Sequence, residues 1–183
     1  MYTIKDVRSR LLLACLLWVA LAPLASAHLM PAQRGTLNIV DGGVFMVLSL
    51  PISAFSGMGL DENSDGSVSL QEFDKYRGGI IETVRKNVTI MDNQGIALLD
   101  GIMLSPVMPH DDSVTSISQL TVLGRFNVIN AVGTMRFQVG IYGRAATEQS
   151  LEIIAMRKRD KQKTVFELTP DAPLASINFP TSF

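Results

Sequence analysis

The 183-residue chain has a single cysteine, Cys15, and only two histidines, His28 and His110. The cysteine lies in an N-terminal apolar stretch, so the chain beyond residue 27 has no thiol nucleophile and no disulfide to stabilise it. Zinc spacings of His and Cys are missing, as are a Gly-x-Ser-x-Gly elbow and a phosphate-cradling glycine loop. The sequence signatures of the common hydrolase and nucleotide-binding classes are therefore absent. Charge is sparse at 18% of residues, with 16 Lys and Arg against 17 Asp and Glu, which is no footprint for nucleic acid. The catalytic class left open is a hydrolase or redox enzyme whose site is assembled only in three dimensions.

What is present begins at the N-terminus. Lys5, Arg8 and Arg10 precede an apolar stretch over 11–24 and then Ala25-Ser26-Ala27, the three parts of a secretory signal. The chain is expected to be exported, to the periplasm or outside the cell, with residues 1–27 removed. The apolar stretch is shorter than the ~20 residues that span a bilayer, and the mature chain offers no other candidate span. Removing Lys5, Arg8, Arg10 and Asp6 with the signal leaves 13 Lys and Arg against 16 Asp and Glu, a net charge of −3. Residues 28–183 suit one domain with an ordinary core.

The most specific segment is Asp61 to Glu72, DENSDGSVSLQE, which fits D-x-[DN]-x-[DN]-G-x5-E at every specified position. Ca2+ is a hard cation that takes roughly six to eight oxygen ligands in a forgiving geometry. Asp61, Asn63 and Asp65 at positions 1, 3 and 5 would each offer a side-chain oxygen. Ser67 would contribute its carbonyl, Ser69 would act through a water, and Glu72 would close the shell with both carboxylate oxygens. Gly66 sits where the chain must turn sharply, and Val68 places an apolar side chain where it can pack inward.

These residues resemble an EF-hand, over the loop and the helix after it, roughly residues 59–77. Leu70, Phe73 and Tyr76 or Arg77 recur at helical spacing. On the entering side Gly57, Gly59 and Pro51 predict a short or irregular turn over 52–58 in place of a firm helix. Gly78 and Gly79 are expected to weaken the exit helix before a helical pattern resumes over 80–86. EF-hands work in pairs, and no second loop has the spacing, so the resemblance implies a structural or partner-binding calcium site more than a sensor.

The rest reads as strands. Residues 36–40 and 44–50 flank Asp41-Gly42-Gly43, and residues 88–91 and 96–104 flank Asn93-Gln94-Gly95. Residues 119–128 pair in expectation with 134–142, where Met135, Phe137, Val139 and Ile141 alternate with Arg136, Gln138, Gly140 and Tyr142. Residues 150–157 and 164–169 turn at a charged run, and the basic stretch 157–163 reads as a solvated hairpin tip or an anionic-lipid patch. The expectation is a mainly β chain, an antiparallel β-sandwich or small barrel, with an EF-hand-like loop and helix inserted at about 52–87. An outer-membrane barrel fits poorly, because several strands are short and Pro180 breaks the final pattern.

A second metal reading concerns copper. Cleavage after Ala27 would make His28 the first residue, and its amine and imidazole could chelate copper together with His110, in the loop Met108-Pro109-His110-Asp111-Asp112. This loosely resembles periplasmic copper carriers and copper oxygenases. The remaining methionines fall mostly in strand positions and read as core filling.

Overall fold

The computed structural model describes residues 32–109, 116–128 and 134–179. The expected signal over 1–27, His28, His110 and the chain end lie outside these residues. Among the described residues nine strands form: β1 (Arg34–Val40), β2 (Gly43–Pro51), β3 (Val88–Asp92), β4 (Gly95–Val107), β5 (Gln119–Phe126), β6 (Met135–Val139), β7 (Leu151–Arg157), β8 (Gln162–Leu168) and β9 (Leu174–Ile177). A 3-10 turn (Ile52–Met58) and one α-helix, α1 (Leu70–Asn87), connect β2 to β3. A second 3-10 turn (Ala146–Glu148) precedes β7.

Period-two alternation drives the strands. Leu37 and Ile39 on β1, Met135, Phe137 and Val139 on β6, and Leu151, Ile153 and Ala155 on β7 are all buried while their neighbours are not. The hairpins β1–β2, β3–β4 and β7–β8 form in the expected places. Gly42 in the first turn has φ 77, a left-handed conformation that a side chain would penalise.

The strands make one sheet in the order β8-β7-β1-β2-β5-β4-β3-β6-β9, whose two edges approach each other without pairing. The expected mainly β fold, an antiparallel sandwich or small barrel, is seen as a single, nearly closed barrel-like sheet; the difference is that the sheet is mixed and not wholly antiparallel, because β1 runs parallel to β7. β4 turns the corner. Its first residues pair with β3 and the rest with β5, with a register shift between Asp100 and Met103 where Gly101 has φ 59. The expected hairpin of residues 119–128 with 134–142 does not form, since β5 lies between β2 and β4 whereas β6 lies between β3 and β9. The two strands meet through the interior instead, where the rings of Phe126 and Phe137 pack edge to face at 6.2 Å.

Helix α1 runs unbroken through Gly78 and Gly79, contrary to the expected interruption. Two helical glycines cost roughly 1 kcal/mol each relative to alanine. Phe73, Ile80 and Val84, all fully buried on one face, each return about 1.5–3 kcal/mol and outweigh that loss. Gly79 also makes room: a Cβ there would lie 2.8 Å from Cε of Met58, so the missing side chain lets the 3-10 turn close against the helix. Gly78→Ala, whose added methyl meets nothing within 4 Å, should stabilise the protein by about 0.5–1 kcal/mol in urea unfolding. Gly79→Ala should gain distinctly less because Met58 must move, and equal gains would refute that seating.

Candidate metal centre

Residues 61–69 leave the 3-10 turn through Gly59, at φ 67, and Leu60, which is buried and pins the start of the loop to the core. The loop coils around its own side chains. Oδ1 of Asp61 accepts the N–H of Asp65 at 3.1 Å and Oδ2 that of Gly66 at 2.9 Å. Asn63 Oδ1 also accepts from the Asp65 N–H, and Asp65 Oδ1 accepts both the N–H and the hydroxyl of Ser67, at 2.8 and 2.7 Å. Ser64 and Gly66 take φ values of 59 and 84, which lets successive amides turn toward these oxygens.

Glu72 closes the ring. Its Oε1 accepts the N–H of Glu62 at 3.0 Å, and its Oε2 accepts the N–H and the hydroxyl of Ser69, both at 2.8 Å. The Ser69 hydroxyl accepts in turn from the Glu72 N–H, completing a capping box at the start of α1. Positions 1, 3, 5, 9 and 12 of the pattern are thus gathered in one coiled segment, with Asn63 and Asp65 exposed and Glu72 only 8% exposed. Among the described residues, however, no three His, Cys, Asp or Glu side chains converge as a metal-holding group. The carboxylates face backbone amides, and three of about four lone-pair sites on Glu72 are already used.

Further contacts hold the loop from outside, and the sequence reading missed them. Glu62 pairs with Lys75 and accepts the Tyr76 hydroxyl at 2.7 Å, clasping the loop to the first two turns of α1. The carbonyl of Val68 accepts the N–H of buried Ile117 at 2.8 Å. Ser118 donates its N–H to Val107 and accepts that of Ile52, so residues 117–118 stitch the loop, the 3-10 turn and β4 together. No short-range pattern announces such contacts, since Val68 and Ile117 belong to distant segments. Ser53, Ser56, Asp61, Val68 and Arg144 line a cavity of about 470 Å3 beside the loop. The copper candidates, His28 and His110, fall outside the described residues. The phenol of Tyr142 is pushed up to about 12 by burial, which suits it poorly as a base near neutral pH.

No protein-family model matches the chain, and no curated protein matches it. No described helix is long and apolar enough to cross a membrane.

The hydrogen bonds displace the loop's acidity. Bonds from the Ser67 hydroxyl and then the Asn63 amide hold Asp65 below its ordinary value of 3.8. The Ser69 N–H, then its hydroxyl, hold Glu72 below 4.5. Carboxyls depressed by folding contribute stability above their unfolded pKa and lose it as pH falls through the folded value. In a calcium-free 13C titration the Glu72 and Asp65 side chains should therefore show midpoints under 4.5 and 3.8 respectively. Midpoints at or above those values would mean that the loop bonds do not persist in solution.

Proposed function

We propose that the protein is an exported calcium-binding protein whose single EF-hand-like loop holds one Ca2+ in a structural or partner-presenting role. The observation that carries this reading is the complete twelve-residue pattern, Asp61 to Glu72, coiled so that its first and last carboxylates each accept amides of the loop. Asp61, Asn63, Asp65 and Glu72 would supply side-chain oxygens, Ser67 its carbonyl, and Ser69 a water-mediated contact. The ion would supply a shared counter-charge for three carboxylates that otherwise repel one another. Export is supported by the Lys5, Arg8, Arg10, apolar stretch and Ala25-Ser26-Ala27 arrangement alone.

The ion's effect would travel through the Val68–Ile117 bond and through α1, both of which join the loop to the sheet. Binding to the folded state alone adds about 2.7 kcal/mol of stability when free calcium is 100 times the dissociation constant. Calcium should therefore raise the unfolding midpoint, with magnesium much less effective because it demands a tighter octahedral shell.

Two substitutions test the assignment. Glu72→Gln retains the side chain that a capping box accepts while removing the charge, and Asp61→Ala removes a ligand together with the acceptor of two loop amides. Both should lose saturable calcium heat in titration calorimetry and keep the far-ultraviolet β signal. Undiminished calcium binding in the two variants would sink the proposal.

A further inference from the structure

The registers line up outward-facing side chains across six strands. One row runs Val165, Ile154, Thr36, Val47, Leu123 and Met103, and the row beside it runs Lys163, Met156, Asn38, Phe45 and Arg125. Because the sheet is nearly closed these rows curve around it, and the part beside the β7–β8 tip exposes Val165 at 51%, Met156 at 42% and Phe45 at 46%, large apolar groups that face away from the core. Where the second row reaches the β7–β8 tip, exposed Lys158, Arg159 and Lys161 join Lys163. Arg157 is matched by Asp160 at 2.6 Å, but among the described residues these four cations form no ion pair. A cavity of about 500 Å3 lies where the tip meets the apolar floor, lined by Asn38, Val40, Met156, Arg157, Lys158 and Lys161.

We infer that this face docks on the surface of an anionic lipid bilayer, tip first. Apolar side chains beside a cluster of flexible cations suit an interface where methyl and phenyl groups enter the acyl boundary and ammonium groups stay at phosphate level. Each cation near such a surface contributes about 1 kcal/mol, and the acids nearby do not cancel the tip. Asp41 in the adjacent turn and Asp100 opposite Arg125 are single charges. Glu152 is paired with Arg34 at 3.5 Å, and Glu167 lies two residues beyond Val165 on the far side of the apolar row. The cations gathered at the tip set the orientation. Two rows are roughly 7 Å apart, against the ≈ 25 Å apolar band of a spanning barrel, so the contact is peripheral. It stands independently of the calcium reading.

The test is co-sedimentation of the mature chain, residues 28–183 without the basic apolar leader that would itself bind lipid, with phosphatidylglycerol–phosphatidylcholine vesicles and with pure phosphatidylcholine vesicles, in EDTA so that calcium bridging plays no part. Binding should be confined to the anionic vesicles and should fall steeply as salt rises. Lys158→Gln with Lys161→Gln should weaken it about 25-fold, about fivefold per cation. Phe45→Ser with Met156→Ser should weaken it while leaving the salt slope unchanged. All four side chains are exposed, and far-ultraviolet dichroism verifies the fold; Arg159→Gln, weakening about fivefold, serves if the double lysine variant is misfolded. Absence of binding at 50 mM salt, equal binding to neutral vesicles, insensitivity to the lysine changes, or equal affinity for inorganic phosphate or single-stranded DNA would each overturn the inference.

Discussion

The carboxylate of Glu72 is the interaction on which the region between β2 and β3 depends. Glu72 as a residue is only 8% exposed, and a carboxylate carried on so covered a side chain needs donors, because an ionised oxygen drawn from water without them is costly. The donors here are the Ser69 N–H and hydroxyl at the start of α1 and the Glu62 N–H from the beginning of the loop. Helix initiation and loop closure are therefore one event. The next residue, Phe73, is fully buried, so the same geometry that caps the helix also sets its apolar face against the core.

Calcium would compete with this arrangement as well as complete it. Bidentate ligation asks for both oxygens of Glu72, and both already accept hydrogen bonds that an ion would have to displace or share. The loop also offers only three carboxylates at ligand positions, with Asn63 and Ser69 neutral where an aspartate would bind more strongly. Both features point the proposed site toward the weak end of such loops, near the 10⁻⁴–10⁻³ M of extracellular modules, about the calcium levels met outside a cell. A folded, hydrogen-bonded loop without the ion and a modest affinity for it are two sides of one balance.

Local chemistry made part of this fold legible. Asp41-Gly42-Gly43, Asn93-Gln94-Gly95 and the charged run after Arg157 each join strands that pair with their sequence neighbours, because a short turn dictates its partner. Alternation in 135–141 identified a strand with one buried face but carried no information about its neighbour, and β6 pairs with β3 and β9 instead of β5. The parallel pairing of β1 with β7 has no turn to announce it, and β9, four residues long, is too short for its period to register. Gly78 and Gly79 misled for a different reason: propensity is a weak term beside the burial of Phe73, Ile80 and Val84. In the loop, residue identities were readable at fixed spacing, whereas the supports from Ile117, Lys75 and Tyr76 depend on the tertiary fold.

Those supports explain how a solitary loop of this type can hold its shape. Its outer turn would expose main-chain groups with no partner loop beside it, and the Val68 carbonyl is met instead by the Ile117 N–H, from the segment that leads into β5. Because Ser118 is bonded to Val107 on β4 and to Ile52, the first residue of the 3-10 turn after β2, the loop is sewn to the place where the sheet passes from β2 to β5 to β4. Strain or order in residues 61–69 is therefore shared with the sheet, and linkage would make the traffic two-way: an ion that stabilised the proposed site would stabilise that crossing, and loosening the crossing would weaken the proposed site.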